Sequence, residues 1–325
     1  MNNQILKAPF TYFGGKSAVA SVVWKHFGDV DNYVEPFAGS LAVLLARPST
    51  PKIETVNDLD CTIANFWRAI KSDPEEVAKY ADYPVSMIDI CARRNYIYNN
   101  QEFYDKMRND PEYYDCKIAG WWVYGMSASI GDNFQRLTNN SIPSLLSAGK
   151  GINRLNLVQY PIPELGFKGK GIKRTNLSPN NPENSIYIYF DQLCKRLKRV
   201  RITCCDFLRI INSHSTTTKL GLTGIFLDPP YRLKRKMMYG EDSMTVSSKA
   251  REWAIENGDN PLLRIALCGY EGEHEMPNSW YEFSWKTQGG YANLGYNLGR
   301  KNKHKERIWF SKYCLHNREQ QCMLF

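Results

Sequence analysis

The chain has 325 residues, 43% hydrophobic and 13% aromatic, and its 42 basic and 33 acidic residues give a formal net charge of +9. That length suits one large α/β domain carrying an insertion, or two small domains. No apolar run approaches the length of a bilayer span and the opening residues, Met1 to Pro9, lack the apolar core of a secretory signal, so a cytoplasmic location with no membrane contact is expected. The nine cysteines include no Cys-x-x-Cys pair, which excludes the usual zinc spacing and disfavours a disulfide framework; buried, reduced thiols and no metal are expected.

In chain order, residues 33–37 end an apolar stretch and run into Ala38-Gly39-Ser40, after which residues 41–46 favour a helix that stops before Pro48. Ser40 is the expected N-cap of that helix. A short strand over 53–56 closes on Asn57-Asp58, and a helix is predicted over 61–71. Asp73-Pro74-Glu75-Glu76 then starts another helix, its acids at the positive helix end. This β-α-β-α opening is the pattern of a parallel sheet.

From about residue 73 to residue 183 the composition changes. Tyr, Asn and Trp become frequent, the first half reads as helical, and the second half is punctuated by Gly and Asn. The α/β pattern resumes with a helix over 186–200, a strand over 201–205 ending at Asp206-Phe207, and an apolar strand over 222–227 ending at Asp228-Pro229-Pro230-Tyr231. Strands over 263–268 and 307–310 follow.

Asp228-Pro229-Pro230-Tyr231 is the most informative segment. Ligands of open α/β sheets bind beyond the carboxyl ends of the strands. Successive prolines fix φ and keep the preceding residue out of the helical region, so this turn is stiff. Asp228 and the Pro229 carbonyl can accept hydrogen bonds from an amino group, and Tyr231 offers a flat face, which together make a clamp for an amino-bearing heterocycle. Tyr12-Phe13-Gly14-Gly15-Lys16 lets backbone approach a ligand and places a cation near a carboxylate. Glu35-Pro36-Phe37-Ala38-Gly39-Ser40 spans a strand, a turn and a helix start, the setting of a nucleotide-type site. Leu41 and Leu44 stand where a dinucleotide fingerprint would carry glycine, which argues against a dinucleotide pyrophosphate. Asp58 ends the next strand, where an acid can hold ribose hydroxyls or simply cap a helix.

In this order and spacing the motifs resemble the Dam-like, D12-class DNA adenine-N6 methyltransferases, over roughly residues 9–70 and 186–312. Glu306-Arg307-Ile308-Trp309-Phe310-Ser311 also resembles that family's closing strand. The resemblance implies a Rossmann-like S-adenosylmethionine-dependent methyltransferase sheet, residues 1–71 and 186–325, with an inserted, mainly helical target-recognition domain, residues 72–185. It implies S-adenosyl-L-methionine as donor and S-adenosyl-L-homocysteine as product. Tyr12, Gly14, Gly15 and Lys16 would bind the methionine end. Glu35, Pro36, Phe37, Gly39 and Ser40 would form the cofactor loop, and Asp58 would hold the ribose. Asp206 and Phe207 would flank the cofactor adenine, and Asp228, Pro229, Pro230 and Tyr231 would hold the target base. The sequence departs from the family at Leu41, where many members have glycine.

The exocyclic nitrogen of adenine is a poor nucleophile because its lone pair is conjugated with the ring. Hydrogen bonds to Asp228 and the Pro229 carbonyl would favour a more tetrahedral nitrogen and direct in-line attack. The base would have to leave the stack and lie on Tyr231. No Pro-Cys occurs, which sets aside cytosine-C5 chemistry. A metal reading of Glu271-Gly272-Glu273-His274-Glu275 yields to an exposed acidic loop. Trp121, Trp122 and Tyr124 read first as core aromatics of a helical subdomain.

The basic residues cluster at Lys168, Lys170, Lys173 and Arg174; at Lys195, Arg196, Lys198, Arg199 and Arg201; at Arg232, Lys234, Arg235 and Lys236; and at Arg300, Lys301, Lys303, His304 and Lys305. Such clusters suit a polyanion, here double-stranded DNA, with the first and third as candidate phosphate contacts. RNA adenine, cytosine N4, or a silent DNA-binding regulator are the rival readings. The protein is expected to act as a monomer or weak dimer, and the family suggests a phage or restriction-modification setting.

Overall fold

The computed structural model describes residues 6–10, 16–84, 86–110, 112–128, 134, 186–230, 242–285 and 306–315. The chain divides into two compact units, one of Met1–Ala8, Gly14–Asp60 and Arg196–Phe325, the other of Pro9–Phe13 and Cys61–Lys195.

The first unit is built on a sheet. Its strands are β1 (Asn32–Glu35), β2 (Ile53–Asn57), β3 (Val200–Thr203), β4 (Thr223–Leu227), β5 (Leu263–Tyr270), β6 (Tyr281–Trp285) and β7 (Glu306–Phe310). They lie in the order β3-β2-β1-β4-β5-β7-β6. Neighbours from β3 to β5 pair in parallel, whereas β7 is antiparallel to both β5 and β6. Every residue of β1, β4 and β7 is buried. Strands covered on both faces read as continuous apolar runs, which is why β4 and β5 are so plain in the sequence. β6 is not anticipated, because its residues alternate between half-buried and exposed positions at the sheet edge.

On one face, Val34, Ile225, Leu227, Ile265 and Leu267 pack against Phe207, Ile210, Ile211, Ala250, Trp253 and Ala254. The last six belong to two helices, Phe207–Ile211 and Asp242–Asn257. Helices α1 (Ala20–Phe27) and α2 (Ala42–Leu45) also belong to this unit, and on α1 Trp24 and Phe27 stand 4.9 and 6.2 Å, ring to ring, from Tyr33. Gly224 of β4 admits Phe27: a Cβ there would sit 2.9 Å from its ring.

The second unit contains α3 (Cys61–Ser72), α4 (Pro74–Ala81), α5 (Met87–Tyr98), α6 (Gln101–Asn109) and α7 (Cys116–Ala128). Helix Ile186–Leu197 straddles the division. The Asp73 side chain caps α4 by accepting from Glu76 N at 3.2 Å, with Pro74 in the first turn as the sequence suggests. Asn65 Nδ2 donates to the Asp115 carbonyl at 2.9 Å and its Oδ1 accepts from Asp115 N at 2.7 Å, tying α3 to the start of α7. Trp122 and Tyr124 are fully buried, and Phe10 meets Trp122 edge-on at 4.8 Å. The sequence places the junctions near residues 71 and 186; the units divide at 60/61 and 195/196, because α3 packs on α7.

Three readings are corrected. Ser40 is not the cap of its helix, Ala42–Leu45: Leu41 holds that position, with no side-chain cap. The 271–275 loop is not simply exposed, since Glu273 and His274 are 8% and 7% exposed. Glu273 accepts from Ser247 Oγ at 2.8 Å and from Tyr270 N at 2.9 Å, and His274 lies edge-on to Trp309 at 5.2 Å. Among the described cysteines, Cys61, Cys268 and Cys314 are buried, but Cys91, Cys116, Cys194, Cys204 and Cys205 are only partly so.

Candidate active site

The parallel strands β1, β2 and β4 deliver Glu35, Asn57-Asp58 and Asp228 at their carboxyl ends. Asn57, the last residue of β2, joins the loop after β1 to the loop after β3. Its amide donates to the Pro36 carbonyl at 3.1 Å and to the Cys205 carbonyl at 2.9 Å, and its oxygen accepts from Cys205 N at 3.0 Å and from Thr203 Oγ1 at 2.9 Å. Sequence reasoning named Asn57 only as the end of a strand; a buried asparagine before the candidate ribose acid was the available signal.

The Gly39 N–H donates to Asp58 Oδ2 at 2.9 Å, and Asp58 Oδ1 accepts from Asp60 N at 3.0 Å. Gly39 has φ +46°, which a glycine adopts without strain. Withdrawal from water and the Asp60 carboxylate push the Asp58 carboxyl up to about 7, against the hydrogen bonds from Asp60, Gly39 and Leu59. Glu35, 3% exposed, is raised by burial to about 8, although the Tyr33 hydroxyl donates to its Oε2 at 2.9 Å. Phe37 and Phe207 pack ring to ring at 4.9 Å, forming an aromatic wall beside the same strand ends. Asp206 caps the helix Phe207–Ile211 by accepting from Leu208 N at 2.8 Å. Ser40 is buried, at 9% exposure.

Lys16, 5% exposed, opens a single 3-10 turn and places Nζ 3.0 Å from Asp228 Oδ1 and 3.7 Å from Glu306 Oε2. Its ammonium also lies 5.9 Å from the centre of the Trp285 ring. Burial would lower its pKa, but the carboxylates of Asp228 and Glu306 outweigh burial and hold it above the usual lysine range. Glu306 belongs to the same cluster, and sequence reading did not place it there. The one signal was an acid opening the closing strand, Glu306–Phe310. Pro229 is buried and Pro230 half-buried.

Thus Lys16 and Asp228 come together, as do Pro36, Phe37 and Gly39 with Asn57, Asp58 and Phe207. Tyr12, Gly14, Gly15 and Tyr231 lie outside the described residues, as do Lys168, Lys170, Lys173, Arg174, Arg232, Lys234, Arg235 and Lys236.

Lys16 thus meets the Asp-Pro-Pro turn through Asp228. Residues 12–126 match the family model for D12 class N6 adenine-specific DNA methyltransferases. No curated protein matches the chain. The matched D12-class segment includes Lys16, Gly39 and Asp58 and the helices α3 to α7; Asp228 and Glu306 lie beyond it. The D12 class implies DNA as substrate, adenine N6 as the methylated atom and S-adenosylmethionine as donor. The sheet, six strands one way and β7 reversed, is consistent with a methyltransferase fold. Such a donor fits the residues present: a carboxyl at Asp58 for hydroxyls, an aromatic wall for a purine, and carboxylates for a cation. Among the described residues no helix is long and apolar enough to cross a membrane.

Proposed function

We propose that the protein is a site-specific DNA methyltransferase that methylates N6 of an adenine turned out of the duplex. The observation that supports it best is the 3.0 Å pair between Lys16 and Asp228, which brings Lys16 to the Asp-Pro-Pro turn. Two hundred residues separate them in the chain, and neither motif alone is specific.

When bound, S-adenosylmethionine supplies a sulfonium methyl that the adenine N6 lone pair takes by direct in-line displacement. Asp58 would hold the ribose, and Asp206 and Phe207 would flank the cofactor adenine, with Phe37 of the cofactor loop packed against Phe207. Tyr12, Gly14, Gly15 and Lys16 would bind the methionine end, with Glu35, Pro36, Gly39 and Ser40 in the cofactor loop. Asp228 and the Pro229 carbonyl accept the two N6 hydrogens and orient the lone pair, while Tyr231 stacks on the base. Residues 72–185 act as the target-recognition region. Lys168, Lys170, Lys173, Arg174, Arg232, Lys234, Arg235 and Lys236 contact phosphates.

Incubation with labelled S-adenosylmethionine and duplex DNA, single-stranded DNA or RNA tests this. Label is expected in DNA as N6-methyladenine, and Asp228→Ala is expected to abolish it while the protein stays folded and binds DNA. Label in RNA alone, or in cytosine, would end the substrate assignment. No label in any adenine-containing DNA would leave the silent-regulator reading.

A further inference from the structure

Glu306 opens β7, far in sequence from the Asp-Pro-Pro turn. It reaches the site through Lys16, whose Nζ lies 3.7 Å from Glu306 Oε2 and 3.0 Å from Asp228 Oδ1. The side chains of Lys16, Asp228 and Glu306 are 5%, 17% and 8% exposed. One cation thus serves two carboxylates in a place that water reaches poorly, where charges act more strongly than in solvent.

We propose that Glu306 is a positioning residue for methyl transfer: it draws Lys16 partly away from Asp228 and leaves the three-residue cluster with a formal net negative charge facing the adenine N6. The inference rests on the methyltransferase reading. During transfer the N6–carbon bond forms as the sulfur–carbon bond breaks. Positive charge passes from sulfur to N6, which then releases a proton to solvent. A neutral Lys16–Asp228 pair would offer that charge only a dipole; the second carboxylate makes the site anionic, with no reorganisation needed at the moment of reaction. Glu306 also suits this task by location. It is the first residue of the reversed strand β7, pairing with Tyr270 of β5 and Trp285 of β6, so its backbone is held from both sides.

Among the described residues, the groups facing Lys16 include Asp228 after β4, Glu306 of β7, Cys268 of β5 and the Trp285 ring of β6. Glu35 of β1 interacts electrostatically with Asp228. Burial raises Glu35 to about 8, so near neutral pH it is mostly uncharged and Glu306 remains the cluster's second anion.

Glu306→Gln keeps the shape and removes the charge; Glu306→Asp restores the charge. The full chain is used for both. Single-turnover transfer to unmethylated duplex DNA gives the rate, and NMR of reductively ¹³C-methylated lysines, with Lys16 assigned by loss in Lys16→Arg, gives the Lys16 titration. For Glu306→Gln the rate is expected to fall about tenfold or more, as for loss of one preorganised electrostatic group, with KM for DNA little changed. The Lys16 titration should move to lower pH, and Glu306→Asp should recover both. A parent-like rate or an unmoved Lys16 titration in Glu306→Gln overturns the proposal. So does a joint loss of rate, KM and thermal stability that Glu306→Asp does not rescue, which would mark a structural role only. If the parent methylates no DNA, the methyltransferase reading fails by itself, and the Lys16 titration still reports whether Glu306 governs the cluster.

Discussion

Gly39 and Asp58 are joined by a 2.9 Å hydrogen bond from backbone N–H to carboxylate, so the loop after β1 and the acid after β2 form one rigid rim. The same acid is the proposed ribose holder. Its two roles are compatible because Oδ2 serves Gly39 and Oδ1 serves Asp60, each oxygen keeping acceptor capacity.

Asp58 holds its proton up to about 7 in the free protein, and ribose hydroxyls bond best to the ionised form. Affinity for S-adenosylmethionine should therefore weaken as pH falls through 7, by about tenfold between pH 8 and pH 6 from the ionised fraction alone. Isothermal titration across that range checks it, and Asp58→Asn should bind weakly with this part of the pH dependence gone. For folding the sign is opposite. Asp58 and Glu35, raised to about 7 and about 8, favour the native state most below their ordinary carboxylate pKa, and that contribution is lost as pH rises through 7 and 8. Melting temperature should decline over that window, and Glu35→Gln should flatten the decline.

Leu41 carries φ +54° and is fully buried. Its side chain packs in the core while its backbone sits in a conformation that costs a branched residue roughly 1–2 kcal/mol. Leu41→Ala should lose about 2–5 kcal/mol of burial. Leu41→Gly loses the same packing but is relieved of the backbone strain. Glycine should thus unfold at higher urea than alanine here, the reverse of their order in a relaxed helix. Equal or inverted midpoints would show that the turn is not strained.

Glu54, 1% exposed, holds two arginines. Its Oε1 accepts from Arg47 Nη1 at 3.3 Å and Arg196 Nη2 at 2.9 Å, and its Oε2 accepts from Arg196 Nη1 at 2.6 Å. Arg196 belongs to a basic run that the composition offers to DNA, yet its guanidinium is committed to this pair. Glu54→Ala takes away the carboxylate that Arg196 pairs with and leaves Arg47 the Asp29 carboxylate at 3.8 Å, and should cost about 3–5 kcal/mol, read as the shift in urea midpoint. A change under about 1 kcal/mol would mean that the arginines find solvent instead.

Much of the site was legible because its chemistry is local in sequence. Asp228-Pro229-Pro230 is stiffened by its own prolines, Gly39 is glycine because its turn needs positive φ, and Asp73-Pro74-Glu75-Glu76 writes a helix start in four residues. Leu41 was visible as a departure, though not its consequence: a backbone angle is not printed in a residue name. Edge strand β6 was hidden because half-exposed alternation is a weak signal, and Ser40 missed the cap because one residue of left-handed backbone shifted the helix start.

The order of motifs and the apolar runs, set by residue type and spacing, determined the parallel sheet and the kind of chemistry at its carboxyl edge. Only the tertiary structure decided which charges share that edge. Asn57 bridging the loops after β1 and β3, Glu306 meeting Lys16, and His274 packing on Trp309 all depend on strands far apart in the chain. Burial then decides what those charges do, since withdrawal from water sets both their protonation and the strength of their pairing.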